Sequence, residues 1–285
     1  MSLAGVTVCQ KYRVVRPIAL GTTSTVYLAF GVEGKPYGLK VFPKGLEARA
    51  KREFLIAKAL GHPRINPVYR LIDLAKEGLS HAGGSALLSA YAPGRPFSSW
   101  RANHPDKALA VFEQLLEALA HVHARGFVHR DVKPENLVVD SKGEARLLDF
   151  DLAGPLGEIF SRALRVGTPA YLSPEQAQGQ TPTPSSDLYS AGIVLYWALT
   201  GELPFLGDSK EVLEAQQNTS ILLAGELVEL GLRRGSARNP SGLKEYLGRL
   251  LAKGPLDRFA SGEEALEAYR SLFKRGPGSR QSITA

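Results

Sequence analysis

The chain has 285 residues, of which 44% are hydrophobic, so it can bury the core of one large domain or of two lobes. Its single cysteine, Cys9, excludes an internal disulfide and suits a reducing, cytoplasmic setting. The net charge of +7 is not gathered in one dense block, so we favour a solvated surface over a nucleic-acid or membrane-binding face.

The sequence carries no pattern typical of export or of a membrane span. Its N-terminus lacks the basic region and the apolar core of a signal peptide. The longest apolar run, residues 191–199, is far too short to cross a bilayer and reads as a buried helix.

The first ninety residues predict strands around one helix. Residues 12–20 and 25–30 are rich in β-branched and aromatic residues and flank a turn that begins at Gly21. Residues 36–42 read as a third strand with one lysine, Lys40, in an apolar run, where a lysine is unfavourable unless it is paired or functional. A helix over residues 46–60 and strands over residues 67–74 and 85–91 complete a region of five strands.

An amphipathic helix is predicted after Pro105. Its apolar positions keep helical spacing, and Gly126 ends it. His121 and His123 lie near its end. We interpret them as C-terminal helix residues and not as metal ligands, because no cysteine or second carboxylate is spaced to join them.

The most informative stretch follows this helix. Residues 129–136 read HRDVKPEN and lead into two apolar runs around a Gly-containing turn, which predicts a β-hairpin. In such a hairpin Asn136 and Asp149 fall at the same open end, with Asp131 just upstream. Oxygen ligands that converge in this way suit magnesium on a phosphate. The alternative is that these polar residues only cap a hairpin.

The HRDVKPEN stretch with Asp149 resembles the catalytic loop of eukaryotic-type protein kinases. Residues 167–175, GTPAYLSPE, are similar to the substrate-docking end of the activation segment in serine/threonine kinases, with Ser-Pro-Glu in place of Ala-Pro-Glu. The YLSPEQ wording and the short length resemble stand-alone bacterial members. The resemblance spans about residues 10–273, which leaves no room for a separate sensor or anchor domain.

This resemblance implies roles for the catalytic residues. Asp131 would accept the proton of the substrate hydroxyl, and Lys133 would neutralise charge on the transferring phosphoryl group. Asn136, counted with the catalytic residues, and Asp149 would hold magnesium, with manganese as a substitute. Thr168 would belong to the substrate platform and bond the catalytic aspartate and lysine.

The resemblance also implies an ATP site. Lys40 would grip the α and β phosphates and would be held by an ion pair with Glu53. Backbone groups of Ala90 and Ala92 would hydrogen-bond the adenine edge, and the small Ser89 would leave the pocket behind the adenine open. The other implied cofactor-binding residues are Gly21, Val26, Gly38 and Val138.

Two features depart from the family pattern. The segment after Gly21 lacks two glycines and is two residues short, so fewer backbone N–H groups can approach the phosphates. The hydroxyls of Thr22, Thr23 and Ser24 could donate instead. Asp151 stands where the family has glycine, and it could favour a second cation or repel the phosphates.

Regulation in the family uses a cation beside the catalytic aspartate, which receives a phosphorylated activation loop. Arg130 would supply that cation here. Ser161 carries the one hydroxyl of residues 152–166 and is therefore a possible phosphosite, although an unmodified loop serine fits equally well.

Three further residues have implied structural roles. Glu175 would form an ion pair with Arg258. Asp187 would accept hydrogen bonds from the catalytic-loop backbone, and the alternative role for Asp187, an N-terminal helix cap, is compatible with this one.

The expected fold is therefore α+β and bilobal. A small β-rich lobe with one main helix would span about residues 10–91, and a larger, mainly helical lobe about residues 94–273. A basic, flexible tail would cover residues 274–285.

Our leading hypothesis is a cytoplasmic serine/threonine protein kinase that uses ATP and magnesium on a protein substrate and does not bind nucleic acid. Its oligomeric state is left open. One alternative is a pseudokinase, which the short loop and Asp151 motivate. The other is a small-molecule kinase, which the segment 167–175 argues against because it builds a platform for a protein substrate.

Overall fold

The computed structural model describes residues 3–21, 23–79, 81, 83–159, 168–221 and 239–273. They build a small lobe around one β-sheet and a larger lobe around buried helices, so the expected α+β, bilobal class is confirmed. Thr22, the possible phosphosite Ser161, Gly167 and the tail lie outside the described residues.

The small lobe is a six-stranded antiparallel sheet in the order β1-β2-β3-β4-β6-β5. The short β1 was not predicted, so the expected count of five strands was wrong. Leu3 and Val8 are fully buried against the sheet, which places residues before position 10 in this core. The strands are β1 (Thr7–Val8), β2 (Tyr12–Leu20), β3 (Thr25–Gly31), β4 (Pro36–Phe42), β5 (Val68–Asp73) and β6 (Ser85–Ala90).

One helix, α1 (Glu47–Ala59), packs on β5 and β6. Its buried positions are Ala50, Glu53, Ile56 and Ala57, which follow helical spacing. A glutamate on this buried face is unfavourable without a partner, so Glu53 needs a cation close to it.

The large lobe is organised around α3 (Ala108–Ala124) and α5 (Pro184–Thr200). A capping box at Thr183 starts α5, and Gly201, with φ 88°, ends it. Nearly every residue of α5 is buried, as expected for a helix that is apolar all round. The other helices in the part of the chain that the structure describes are α2 (Phe97–Trp100), α4 (Pro174–Ala177), α6 (Ser209–Asn218), α7 (Pro240–Leu250) and α8 (Gly262–Ser271).

Within the described ranges, no helix combines the length and the hydropathy that a membrane crossing requires. The longest apolar run of the sequence lies inside α5, in the core of the large lobe, as expected.

The predicted hairpin is present as β9 (Leu137–Val139) and β10 (Ala145–Leu147), in antiparallel register. The Leu148 N–H donates to the Asn136 carbonyl at 2.8 Å, so Asn136 and Asp149 lie at the same open end, as predicted. An isolated bridge between Ile65 and Leu147 ties the segment after α1 to this hairpin. Shorter strands are β7 (Arg95–Pro96), β8 (Phe127–Val128) and β11 (Gly154–Pro155).

Candidate active site

Lys40 of β4 lies between two carboxylates. Its Nζ donates to both oxygens of Glu53, at 2.8 and 3.0 Å, and to Oδ1 of Asp149 at 2.8 Å. The predicted Lys40–Glu53 ion pair is therefore present, and it satisfies the buried glutamate of α1. Burial opposes the charge on Lys40, but Asp149 and Glu53 outweigh it and raise the lysine pKa above its usual value. The ammonium thus stays charged.

The three predicted catalytic residues are in mutual contact. Lys133 Nζ lies 2.7 Å from Oδ2 of Asp131. The side-chain amide of Asn136 donates to the same carboxylate at 2.9 Å and to the Asp131 carbonyl at 2.8 Å. Because the amide nitrogen faces Asp131, the planar amide turns its oxygen to the opposite side, where it can serve as a metal ligand.

The backbone is strained in the catalytic loop and again just after the hairpin, and a buried aspartate fixes the loop by hydrogen bonds. Arg130 and Asp149 both adopt the left-handed region, with φ 69° and φ 64°, which is uncommon for residues other than glycine. The buried Asp187 of α5 accepts hydrogen bonds from the backbone N–H groups of His129 and Arg130, at 2.7 and 2.8 Å. These are the contacts that the resemblance implied for Asp187.

His123 also supports this anchor, a role that was not predicted for it. Its Nε2 donates to Asp187 at 3.0 Å, while its Nδ1 accepts from the Gly262 N–H at 3.0 Å. Burial disfavours the charged aspartate, but the His123 hydrogen bond offsets it, and the pKa of Asp187 is lowered. A buried histidine that belongs to no metal-ligand pattern needs a polar partner, and this was the signal by which the role of His123 could have been found.

Asp149 and Asn136 fit a magnesium ion. Desolvation opposes ionisation of Asp149, but Lys40 outweighs it and holds the pKa of Asp149 below its usual range. The carboxylate is thus ready to bind a cation. No cluster of three or more His, Cys, Asp or Glu side chains suited to a metal occurs in the described residues. Two oxygen ligands with the remainder from phosphates and water is the arrangement that magnesium prefers.

A buried acceptor without a hydrogen bond within the described ranges lies in the loop before β5, on a residue that contacts the end of β6. Asn66, 8% exposed, donates from Nδ2 to the Ala90 carbonyl at 3.0 Å, and its backbone N–H bonds the Leu147 carbonyl. Its Oδ1 is buried and accepts no hydrogen bond from the described residues. A buried acceptor needs a donor.

The turn after Gly21 uses part of its bonding capacity internally. The Gly21 N–H donates to the Ser24 carbonyl at 2.9 Å, and a Cβ at Gly21 would lie 3.2 Å from that carbonyl. The Thr23 hydroxyl, expected to face phosphates, donates instead to Oδ2 of Asp151 at 3.2 Å. The Gly21 N–H is thus engaged within the turn, and the Thr23 hydroxyl links the turn to Asp151.

The other residues predicted to touch the nucleotide lie on strands around Lys40 or on the hairpin. Val26 is opposite Lys40 in the β3–β4 register. Gly38 is opposite Ser89, and a Cβ there would come within 2.8 Å of Ser89 Oγ. Val138 lies on β9, and Ala92 is half-buried just after β6. Their contacts with a nucleotide remain predictions.

Asp151 is neutralised by an arginine that the sequence did not suggest. Arg49 of α1 donates through Nε to Oδ1 and through Nη2 to Oδ2, the latter at 2.6 Å. Both carboxylate oxygens accept bonds from one guanidinium, so Asp151 offers neither a bare charge to repel phosphates nor an open ligand for a second cation. The structure thus favours neither role considered for Asp151.

The cation expected to receive a phosphorylated loop already has a carboxylate. Arg130 Nη1 donates to Glu158 at 2.9 Å, and Arg52 of α1 donates to the other oxygen of Glu158 at 2.6 Å. The Arg52 guanidinium also bonds the Ala153 carbonyl. Glu158 is the one acidic residue of residues 152–166, and that count was the signal by which it could have been found.

The expected structural ion pair is present. Arg258 is 2% exposed and donates to both oxygens of Glu175, at 2.7 and 2.9 Å. Burial opposes the charge on Glu175, but Arg258 outweighs it and lowers the glutamate pKa. Thr168, in contrast, is exposed, and its hydroxyl bonds neither Asp131 nor Lys133, which pair directly. That expected Thr168 contact is not formed.

A sheet-based lobe with a lysine–glutamate pair, joined to a helical lobe with the Asp131 loop and the Asp149 hairpin, defines a protein kinase domain. Residues 12–283 match the protein kinase domain family, and the chain belongs to that family.

Bacterial serine/threonine kinases are among its relatives. The chain is 31% identical to serine/threonine-protein kinase PrkC of Bacillus subtilis over 95% of its own length. It is 37% identical to serine/threonine-protein kinase pkn2 of Myxococcus xanthus over 69%, and 33% identical to serine/threonine-protein kinase PknL of Mycobacterium tuberculosis over 88%. The chain spans 42%, 25% and 62% of the lengths of these three relatives.

Proposed function

We propose that this chain is a serine/threonine protein kinase that transfers the γ-phosphoryl group of ATP to hydroxyl groups of proteins. The observation that carries the proposal is the Lys40 ammonium held between Glu53 and Asp149, at 2.8 Å from each. This arrangement keeps a fixed cation where phosphates would bind, next to the open end of the hairpin. The serine/threonine kinase relatives support the same activity.

The proposed chemistry is mostly positioning and charge stabilisation. Asp131 accepts the proton of the substrate hydroxyl while the hydroxyl oxygen forms a bond to the γ-phosphorus, and the bond from that phosphorus to the bridging oxygen of ADP breaks. Lys133 offsets the charge that develops on the transferring group, and Lys40 holds the remaining phosphates. Magnesium, held by Asn136 and Asp149, would neutralise charge on the phosphate oxygens.

A packed segment beside the catalytic loop supports a protein as the acceptor. Ser173 and Gln176 form a capping box at the start of α4, and Gln176 Nε2 donates to the Arg130 carbonyl at 3.1 Å. The buried Glu175–Arg258 pair fixes the same segment to the large lobe. A rigid surface directly beside the catalytic loop suits an extended peptide better than a small metabolite.

The unit that we propose carries the activity is residues 10–273, with lobes of about residues 10–91 and 94–273, and residues 3–9 extend the small lobe because β1 and Leu3 pack into its core. We place it in the cytoplasm, where ATP is supplied and where the single Cys9 stays reduced.

The acceptor chemistry tests this proposal. We expect γ-labelled ATP with magnesium to label a generic basic protein, and acid hydrolysis of that product to release phosphoserine and phosphothreonine. Label on a small alcohol or sugar and none on protein would favour the small-molecule kinase. Release of phosphotyrosine alone would contradict the assigned specificity.

Lys40→Met is expected to lower kcat/KM for ATP by roughly 10²- to 10³-fold, the scale for removal of one fixed electrostatic donor. The methionine removes the cation from the phosphate site and leaves Glu53 and Asp149 without their shared partner. Steady-state kinetics with varied ATP measure the effect. Lys142→Met, in the exposed turn of the hairpin, is the matched control. Unchanged catalytic efficiency in Lys40→Met would refute the role.

A further inference from the structure

The two departures of this chain from the kinase pattern contact each other. The shortened turn places the Thr23 hydroxyl on Asp151, the residue that stands in place of glycine, at 3.2 Å. Among the described residues outside glycine, φ is positive at Cys9, Gln10, Arg130 and Asp149 and not at Asp151. Position 151 therefore accepts an aspartate without backbone strain, and the aspartate side chain can contact the neighbouring elements.

Asp151 also closes a ring of contacts around Lys40. Arg49 and Glu53 are four residues apart on α1 and so lie on one face of the helix. Glu53 holds Lys40, Lys40 holds Asp149, and the Asp151 N–H donates to Asp149 Oδ1 at 3.2 Å. Arg49 completes the ring by its two bonds to the Asp151 carboxylate.

We propose that Asp151 is a positioning residue for phosphoryl transfer: its ion pair with Arg49 holds α1, and its bond to Thr23 holds the shortened turn, so that Lys40 stays between Glu53 and Asp149. The inference rests on the proposed kinase function. In this proposal Asp151 joins α1, the shortened turn and the segment of Asp149, which meet where the phosphates would bind. The Asp151 side chain is 10% exposed and that of Arg49 23%, so solvent screens their attraction only in part.

The test replaces Asp151 by the glycine of the family pattern. We expect Asp151→Gly to lower kcat/KM for ATP roughly tenfold, mainly through a higher KM, and Arg49→Ala to do the same. The double variant Arg49→Ala/Asp151→Gly should have a kcat/KM no lower than that of the more impaired single variant, because both changes break the same ion pair. Asp151→Asn keeps the size of the side chain but loses its charge, so its kcat/KM should fall between those of wild type and Asp151→Gly. Lys51→Ala removes an exposed cation from the same helix and serves as the control.

A readout without nucleotide separates this role from general stability and from the kinase function itself. Amide hydrogen exchange in α1 should be faster in Asp151→Gly and in Arg49→Ala than in wild type, and unchanged in Lys51→Ala, while the unfolding temperature reports global stability. If wild type transfers no phosphate, the proposed function fails, yet exchange and MgATP titration still report on Asp151. Equal or higher kcat/KM in Asp151→Gly, additive single effects, or unchanged α1 exchange would overturn the positioning role.

Discussion

Asp131→Asn is expected to lower kcat for phosphate transfer by roughly 10²- to 10⁴-fold, the range for loss of a general base. The amide has the size of the carboxylate and can still accept the hydrogen bond from Asn136 and the contact from Lys133. It cannot accept the proton of the substrate hydroxyl. Nucleotide affinity should stay unchanged, because Lys40 and its two carboxylates are untouched.

The measurement pairs initial rates with a titration of MgATP, both on the same preparation. Asp140→Asn is the matched control, since Asp140 is a carboxylate of the hairpin turn whose Oδ1 accepts backbone bonds from the nearby Lys142 and Glu144. A rate for Asp131→Asn within a few-fold of wild type would remove Asp131 from the proposed chemistry.

Arg258→Ala is expected to destabilise the fold by about 3–5 kcal/mol, because it leaves the buried Glu175 charged and without its partner. Arg258 also donates to the carbonyls of Ser185, Ala252 and Lys253, which would lose a donor. Since domains of this kind hold about 5–15 kcal/mol in total, much of the stability would be lost. Urea unfolding at neutral pH measures the difference.

Lys210→Ala is the control for this prediction. Its ion pair with Glu214 is exposed on α6 and should change stability by less than about 1 kcal/mol. The expected effect of pH follows from Glu175. Its pKa is lowered in the fold, so its contribution is present above the ordinary glutamate pKa and is lost as pH falls through the lowered folded value. The gap between wild type and Arg258→Ala should narrow in that acid window. A loss below about 1 kcal/mol at neutral pH would contradict the structural role.

Local patterns were enough to predict much of the fold and part of the site. The strands over residues 12–20 and 36–42 have their expected bounds because β-branched residues and turn residues mark them clearly. The hairpin geometry followed from counting residues on either side of one turn, which placed Asn136 beside Asp149. The Lys40–Glu53 pair followed from a lysine in an apolar strand and the family spacing.

The contacts that sequence reasoning missed are long-range. Arg49 and Asp151 are 102 residues apart, and Arg52 and Glu158 are 106 apart. Periodicity and turn chemistry carry no information about which charge on a helix face meets which residue of a distant segment. The short turn and Asp151 are therefore separate departures in the sequence, whereas packing joins them by one hydrogen bond. The buried oxygen of Asn66 could not be predicted either, since Asn66 bonds both Ala90 of the small lobe and Leu147 of the hairpin.

The most direct test of the central claim is whether the purified chain moves the γ-phosphoryl group of ATP at all. Labelled ATP is supplied with magnesium, or with a chelator that removes it, and label on protein is followed over time beside a titration of nucleotide affinity. We predict magnesium-dependent labelling of the chain itself or of an added basic protein. Tight MgATP binding without any transfer would contradict the claim and show a kinase fold that only binds its nucleotide.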